Sequence, residues 1–493
     1  MQRNLARLEL VLLSGFMVVA LTLGYWQFFR QDELLARDTN PRVAEEARRV
    51  VRGRILDRSG AVLAENVSTG DGGSERKYPV DGVATVVGYH SERFGNSGLE
   101  DRYDEYLRGS RSANPFDTLR SSLLHEPTVG SDLTLTLDAR IQQAANQALG
   151  GKPGAVVVLD PKTGAVLAMA SAPTFNSGQI DTDWNALLND PARPLVNRAT
   201  QSVYTPGSTF KLVTAAAALD MGIVDPRAKY RCVDPIQIDG LTVDCKNHPH
   251  LPVVDFREAF AWSCNRTFAL TALELGNPQL ALADGLKAPF PWQASVGTAA
   301  QRFDDYAHRF WIGRPVPFEL GVEAGQVKGG GEWYPSLLAQ TGFGQGELAT
   351  SPLHMALVAA TIANGGAVPA PYVAREARAP GGAISMLNRP GGTLGQAMSS
   401  RAAATLNEMM VLSVDTAYAK PAAISGVKVA GKTGTAEAGP AESIPHSWFV
   451  GYAPADDPRV AIAVIMENRG SGTDFATPAA RTVLQRALDV YQR

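Results

Sequence analysis

Only three of the 493 residues are cysteine and only seven are histidine. No two histidines stand at His-x-x-x-His spacing. His248 and His250 follow Cys245, but a second close cysteine is missing, so a zinc set is not completed. No metal or other cofactor is expected. The chain also lacks a strong charge of either sign: its net charge of −3 gives no reason to expect a nucleic-acid partner. With 45% hydrophobic and 19% charged residues it is globular rather than disordered, and its length leaves room for roughly two to four domains. The apolar stretch that matters most is Leu10 to Phe29, which carries no charge and is long enough to cross a bilayer as one helix. Tyr25, Trp26, Phe28 and Phe29 cluster at its far end, as interfacial aromatics do. No Ala-x-Ala-like cleavage site follows, so a retained anchor is expected instead of a cleaved signal. Arg3 and Arg7 precede the span while Arg30 and Arg37 follow it, and this charge pattern orients it only weakly.

What is present is a serine in a chemically loaded setting. Tyr204-Thr205-Pro206-Gly207-Ser208-Thr209-Phe210-Lys211 runs into Leu212-Val213-Thr214 and four alanines. Pro206 and Gly207 break the preceding structure, and the Ala/Leu run is a strong helix former. Ser208 is therefore expected at or just before a helix N-terminus, with Lys211 one turn on, on the same face. A serine is a poor nucleophile without a base within hydrogen-bond reach. A lysine serves as that base once burial or the positive helix end holds it neutral. Ser-x-x-Lys alone is common; it recurs at Ser74/Lys77 and Ser425/Lys428 without the Pro-Gly start or the following helix former. Two further segments follow Ser208 in order: Ser263-Cys264-Asn265, then Lys432-Thr433-Gly434-Thr435. Other copies stand out of order. Ser112-Ala113-Asn114 lies in a polar loop, and Lys162-Thr163-Gly164 reads as a hairpin turn between two apolar strands.

With Ser-x-x-Lys, Ser-x-Asn and Lys-Thr-Gly in sequence, the chain resembles the penicillin-binding proteins and serine β-lactamases. The segment Arg52-Gly53-Arg54-Ile55-Leu56-Asp57-Arg58-Ser59-Gly60 resembles the opening signature of class B penicillin-binding proteins, monofunctional D,D-transpeptidases. Gly98-Leu99-Glu100, Tyr103-Asp104, the run Leu133 to Asp138, Asn197-Arg198-Ala199, Gly342 to Gly346 and Ile362 to Gly366 match the family too. The short pedestal and the run from Lys432 to Phe449 look most like the compact actinobacterial type. The fold implied is α/β (α+β): about five mostly antiparallel strands flanked by helices, a small N-terminal pedestal and one transmembrane helix. The expected division is an anchor over 1–30, a pedestal over 31–150 and a transpeptidase domain over 151–493. Pro369 to Ser400 reads as a Gly/Pro/Arg-rich excursion without assignable chemistry.

The resemblance assigns each site residue a role. Ser208 attacks a D-Ala-D-Ala carbonyl and becomes an acyl-enzyme, Lys211 takes its proton, and Ser263 relays a proton to the leaving nitrogen. Asn265 holds Lys211 and the substrate backbone, and Lys432 adds positive potential. Thr433 and Thr435 bind the terminal carboxylate, and Gly434 lets substrate lie against the strand. The oxyanion hole is the N–H pair of Ser208 and Thr435. Partners implied are peptidoglycan stem peptides on lipid-linked precursor strands, β-lactams, and a membrane glycan polymerase of the shape, elongation, division and sporulation family. The location implied is the plasma (inner) membrane, single-pass, with the catalytic domain outside the cytoplasm. Cys232 and Cys245 bracket a turn at Asp239-Gly240 and are expected to pair, with reduced thiols as the alternative. Cys264 is expected to be a filler behind Ser263. Two other functional classes stay open: a β-lactamase or D,D-carboxypeptidase of the same fold, and a non-catalytic sensor or scaffold.

Overall fold

The computed structural model of the chain describes residues 2–28, 50–69, 74–111, 128–227, 229–231, 235–245, 252–276, 292–437, 439 and 443–491. Helix α1 (Gln2–Phe28) contains an 18-residue window, Glu9–Trp26, that is long and apolar enough to cross a membrane. None of that window is buried against the rest of the protein.

A small sheet follows, built from β1 (Ile55–Leu56), β2 (Val62–Ser68), β3 (Ser74–Lys77) and β4 (Asp132–Leu135). The tight β1–β2 connection is organised by Asp57, whose Oδ1 accepts from the N–H groups of Ser59 (2.7 Å) and Ala61 (2.9 Å). Its Oδ2 accepts from Ala139 N–H at 3.0 Å, tying this turn to the start of the next helix. Arg52, Arg76 and Glu100 are buried beneath the sheet, where Glu100 receives Arg52 at 2.9 Å and Arg76 at 2.7 Å. Such charges persist in an interior only when each is paired.

Helix α2 (Ala139–Leu149) is capped by the side chain of Asp138 and stopped by left-handed Gly150. It leads into the hairpin β5 (Gly154–Leu159) and β6 (Val166–Ala172), both buried along their whole length. A mostly helical stretch comes next: α3 (Lys211–Asp220), α4 (Phe256–Ala261), α5 (Asn265–Glu274), α6 (Trp292–Arg309), α7 (Pro335–Gly342) and α8 (Pro352–Ala363). After β7 (Ala374–Arg378), β8 (Ile384–Leu387) and α9 (Ser400–Thr416), the chain returns to strands β9 (Ala430–Ala436), β10 (His446–Ala453) and β11 (Val460–Met466). It ends in α10 (Ala476–Tyr491).

The principal sheet has the order β9-β10-β11-β5-β6, with every neighbour antiparallel. Early and late parts of the chain therefore meet at the β11–β5 pair. Side chains alternate between two cores, as strand geometry requires. Trp448, Val450 and Tyr452 face the helical layer with α3 and α8, while Phe449 and Ala453 face α2 and α10. β9 is an edge strand, and its free edge is where the three motifs gather.

The excursion after Pro369 has a destination that local pattern did not reveal. β7 pairs with β4, and β8 with β7, so the small sheet has the order β8-β7-β4-β1-β2-β3. Two strands from the late chain thus complete the pedestal sheet.

Candidate active site

The serine turn is tighter than the sequence suggests. Residues Gly207–Phe210 form a 3-10 turn, and α3 begins only at Lys211. Ser208 thus sits within that turn, one residue after Gly207, whose φ of +55° suits glycine. Thr209 Oγ1 donates to Pro206 O at 2.7 Å and closes the turn. Lys211 is fully buried, and its amine is held at four points. Nζ lies 3.1 Å from Ser208 Oγ, 3.0 Å from Ser263 Oγ, 2.8 Å from Ser263 O and 2.7 Å from Asn265 Oδ1. One nitrogen therefore gathers both serine hydroxyls and the asparagine amide around the first residue of α3.

The second motif is the sharp corner between α4 and α5. Ser263 has φ +61°, a region non-glycine residues adopt only when surrounding bonds hold them there. Cys264 is the N-cap position and Asn265 the first residue of α5. The third motif is on β9. A Cβ on Gly434 would stand 2.9 Å from the Thr209 methyl carbon and 3.0 Å from Pro206 O, and one on Gly207 would stand 2.7 Å from Thr435 O. Strand and serine turn therefore meet backbone against backbone, which apposes the Ser208 and Thr435 segments. Thr433 is buried and Thr435 exposed at this edge. Thr435 Oγ1 accepts Gly472 N–H at 3.3 Å.

Lys432 is fully buried, and burial pulls its amine down to about 7. Its Nζ donates to Thr433 O at 3.0 Å and lies 5.8 Å from the Phe260 ring centre. Lys432 is therefore a switchable charge near neutrality rather than a permanent cation.

The expected cysteine pair is not formed. Cys245 is bonded to Cys264, with a Cα–Cα distance of 5.1 Å. The hairpin Ile236–Ile238/Leu241–Val243 turns at Asp239-Gly240 as expected, but it leads Cys245 onto the start of α5. There Cys264 packs with Val254 and Ala259. Cys264 is thus a cross-link, not a filler, and Cys232 lies outside the described residues, as do His248, His250 and Ser112-Ala113-Asn114. Of the other motif copies, Ser74 and Lys77 end β3, and Lys162-Thr163-Gly164 forms the β5–β6 turn through Gly164 N–H to Asp160 O.

Three supports were not assigned from sequence. Trp448 Nε1 donates to Thr205 O at 3.1 Å. Glu467 Oε1 accepts both Tyr204 OH at 2.7 Å and Arg198 Nε at 2.9 Å. A Cβ on Gly344 would fall 1.8 Å from Gly207 O, so the glycine loop lies directly on the serine turn. Glycines in matched segments signalled the last contact; its partner could not be read from local pattern.

A family described as penicillin binding protein transpeptidase domain matches residues 154–485, and one described as penicillin binding protein A dimerisation domain matches residues 52–133. The peptidoglycan D,D-transpeptidase PbpA of Mycobacterium tuberculosis is 33% identical over 522 aligned positions, covering 99% of both chains. Among solved structures, the ceftriaxone acyl-enzyme of penicillin-binding protein A from M. tuberculosis superposes with a TM-score of 0.79 at 32% identity, covering 90% of this chain and 99% of that one. A D,D-transpeptidase domain from Eggerthella lenta gives 0.76 at 34% identity, with the same coverages.

Proposed function

Because this chain belongs to the penicillin-binding protein transpeptidase family, we infer that the alcohol its lysine engages, Ser208, is the nucleophile of a peptidoglycan D,D-transpeptidase. The reaction cross-links stem peptides through a serine acyl-enzyme with release of D-Ala, and β-lactams inhibit it by acylating the same serine. The observation that carries the site assignment is the single nitrogen, Lys211 Nζ, in reach of Ser208 Oγ, Ser263 Oγ and Asn265 Oδ1.

The steps follow from that arrangement. Neutral Lys211 takes the Ser208 proton as Oγ bonds to the penultimate D-Ala carbonyl carbon. The N–H groups of Ser208 and Thr435 receive the oxyanion, and each such donor is typically worth about a hundred- to a thousand-fold in rate. Ser263 passes a proton from Lys211 to the leaving D-Ala nitrogen, and the C–N bond breaks. An amine from a second stem then attacks the ester, its proton returns by the same route, and Ser208 is freed. Thr433, Thr435 and the charge of Lys432 hold the donor carboxylate, and the open edge of β9 takes the donor as an added strand.

The wider setting we propose is an anchor over 1–30, a pedestal over 31–150 and a catalytic unit over 151–493. The apolar helix α1 supports a single span. The extracytoplasmic placement of the rest follows from where peptidoglycan is cross-linked. A membrane glycan polymerase of the shape, elongation, division and sporulation family is the proposed partner, with the pedestal as its docking side.

Labelling with a fluorescent penicillin tests the reading. The native chain is expected to carry a stable adduct and Ser208→Ala none. An adduct lost within seconds would mark a β-lactamase, and no adduct on the native chain would overturn the nucleophile assignment.

A further inference from the structure

One carboxylate ties the entrance of the serine turn to the end of the principal sheet. Glu467 is the residue after β11, and its own N–H reaches Pro153 O at 2.8 Å. Its Oε1 accepts two donors, Tyr204 OH at 2.7 Å and Arg198 Nε at 2.9 Å. The remaining nitrogens of Arg198 donate to Arg193 O at 3.1 Å and Ala192 O at 2.6 Å. The carboxylate therefore cannot swing off the phenol without breaking a largely buried ion pair. Burial, and then the Glu467 charge, push the Tyr204 phenol up, so it keeps its proton and stays the donor. Tyr204 stands four residues before Ser208. The contacts that the turn makes further on are steric: Gly207 lies against Thr435 O, Gly344 against Gly207 O and Gly434 against Pro206 O. Such contacts stop the turn from advancing, but not from drawing back. Withdrawal is opposed by hydrogen bonds at the entrance: Tyr204 OH to Glu467, Trp448 Nε1 to Thr205 O at 3.1 Å, and the Tyr204–Thr350 backbone pair at 2.9 Å each way. Lys211 is anchored independently, by Ser263 O and Asn265 Oδ1. The 3.1 Å between Ser208 Oγ and that amine therefore depends on the entrance to the turn.

We propose that Glu467 is a positioning residue for acylation: through the Tyr204 hydroxyl it holds Ser208 within reach of Lys211. The inference rests on the site assignment proposed above. Glu467 acts through Tyr204 and takes no proton in any step. With the phenol released, the turn draws back, Ser208 Oγ leaves its contact with Lys211 Nζ, and proton transfer during attack slows. Small displacements of this kind are costly, because a nucleophile misplaced by about 1 Å loses on the order of a hundredfold in rate. The β9 edge stays in place, since its pairing with β10 runs from Ala430 to Ala436 and does not involve Tyr204. The rate of acylation is thus separated from docking of the donor. What Tyr204 and Arg198 require of position 467 is one shared acceptor oxygen, which a carboxamide also supplies.

The experiment uses the full-length chain in detergent micelles. A concentration series of fluorescent penicillin separates the binding constant from the first-order acylation rate, and a melting curve is recorded for each variant. Tyr204→Phe removes one hydroxyl and leaves the Arg198–Glu467 pair intact, so it tests the proposal even if Glu467→Ala, which strands Arg198, fails to fold. Tyr204→Phe is expected to lower the acylation rate about tenfold or more, to leave the binding constant within about threefold, and to stay folded at the assay temperature. Glu467→Ala is expected to be at least as slow, and Glu467→Gln to recover to within about threefold of native. Because the two residues act through one bond, the double variant Tyr204→Phe/Glu467→Ala is expected within about twofold of Glu467→Ala alone. A Tyr204→Phe rate within about twofold of native overturns the proposal. So does a rate that falls only in step with loss of folded protein, or a binding constant that weakens as much as the rate. Losses that multiply in the double variant, or Glu467→Gln as slow as Glu467→Ala, overturn it too, since the carboxylate would then act by another route or by its charge. Failure of the site assignment would look different: the native chain itself would form no adduct.

Discussion

At the scale of single residues, burial gives Lys432 two opposed pH dependences. Its amine titrates near 7 in the folded protein, against 10.5 when free. Between those values the unfolded chain binds a proton that the folded chain does not, so stability rises with pH across that window and declines as pH falls towards 7. The slope for one group is about 1.4 kcal/mol per pH unit. In its proposed role at the donor carboxylate Lys432 makes activity run the other way, because its charge is lost above pH 7. Raising the pH from 6.5 to 8.5 is therefore expected to slow acylation by a carboxylate-bearing penicillin while urea midpoints increase. Lys432→Met is expected to lose this contribution to both trends. Acylation and stability that move together in the native chain would remove Lys432 from the carboxylate site. Sequence alone led to this residue, because Lys-Thr-Gly is contiguous. Its switchable charge was not legible, since that depends on complete burial by residues distant in sequence.

At the scale of elements, the site depends on how closely β9 approaches the nucleophile turn. Gly434 has no room for a side chain: a methyl would meet the Thr209 methyl carbon at 2.9 Å, Pro206 O at 3.0 Å and Trp448 Cβ at 3.0 Å. Pro206 O cannot yield without moving Ser208. Overpacking of this kind costs roughly 1–3 kcal/mol and is relieved by shifting backbone. Gly434→Ala is thus expected to reduce penicillin acylation more than about tenfold while the protein still melts cooperatively; acylation within twofold of native would mean that the edge has slack. This element was legible in outline, because a glycine in an apolar strand signals close approach. The five-strand sheet was legible for a similar reason: fully apolar runs such as Val460 to Met466 announce buried strands. Two features were not. β7 carries no local sign that its partner is β4, more than two hundred positions earlier in the chain, nor does β8 that it extends the same sheet by pairing with β7. The disulfide partner was equally hidden: Cys232 and Cys245 flank a real hairpin, yet packing brings Cys245 to Cys264 instead.

At the scale of the whole molecule, pedestal and catalytic sheet are joined at the edge farthest from the nucleophile. β6 is the outer strand there, and buried Gln142 of α2 satisfies it: Oε1 accepts Met169 N–H at 2.8 Å and Nε2 donates to Met169 O at 2.9 Å. The same Nε2 reaches Gly82 O at 2.9 Å, so one amide ties the pedestal to the sheet edge. Asn197 Nδ2 donates to Thr85 O at 3.0 Å, and Ser177 Oγ donates to Gly88 O at 2.7 Å, adding further polar ties across the joint. With β7 and β8 inserted into the small sheet, neither part is complete without the other, and the soluble portion is expected to melt in one transition. Gln142→Ala strands the buried Met169 N–H and C=O, and each lost partner costs about 1–3 kcal/mol. The variant is expected to lose roughly 2–5 kcal/mol of stability, still in a single transition, with the rate of penicillin acylation per folded molecule nearly unchanged, since the β9 edge lies four strands away. Calorimetry and adduct formation on the same samples check both halves. Two separated melting transitions would show that pedestal and catalytic sheet fold independently, and a large fall in acylation per folded molecule would show that the joint communicates with Ser208 across the sheet.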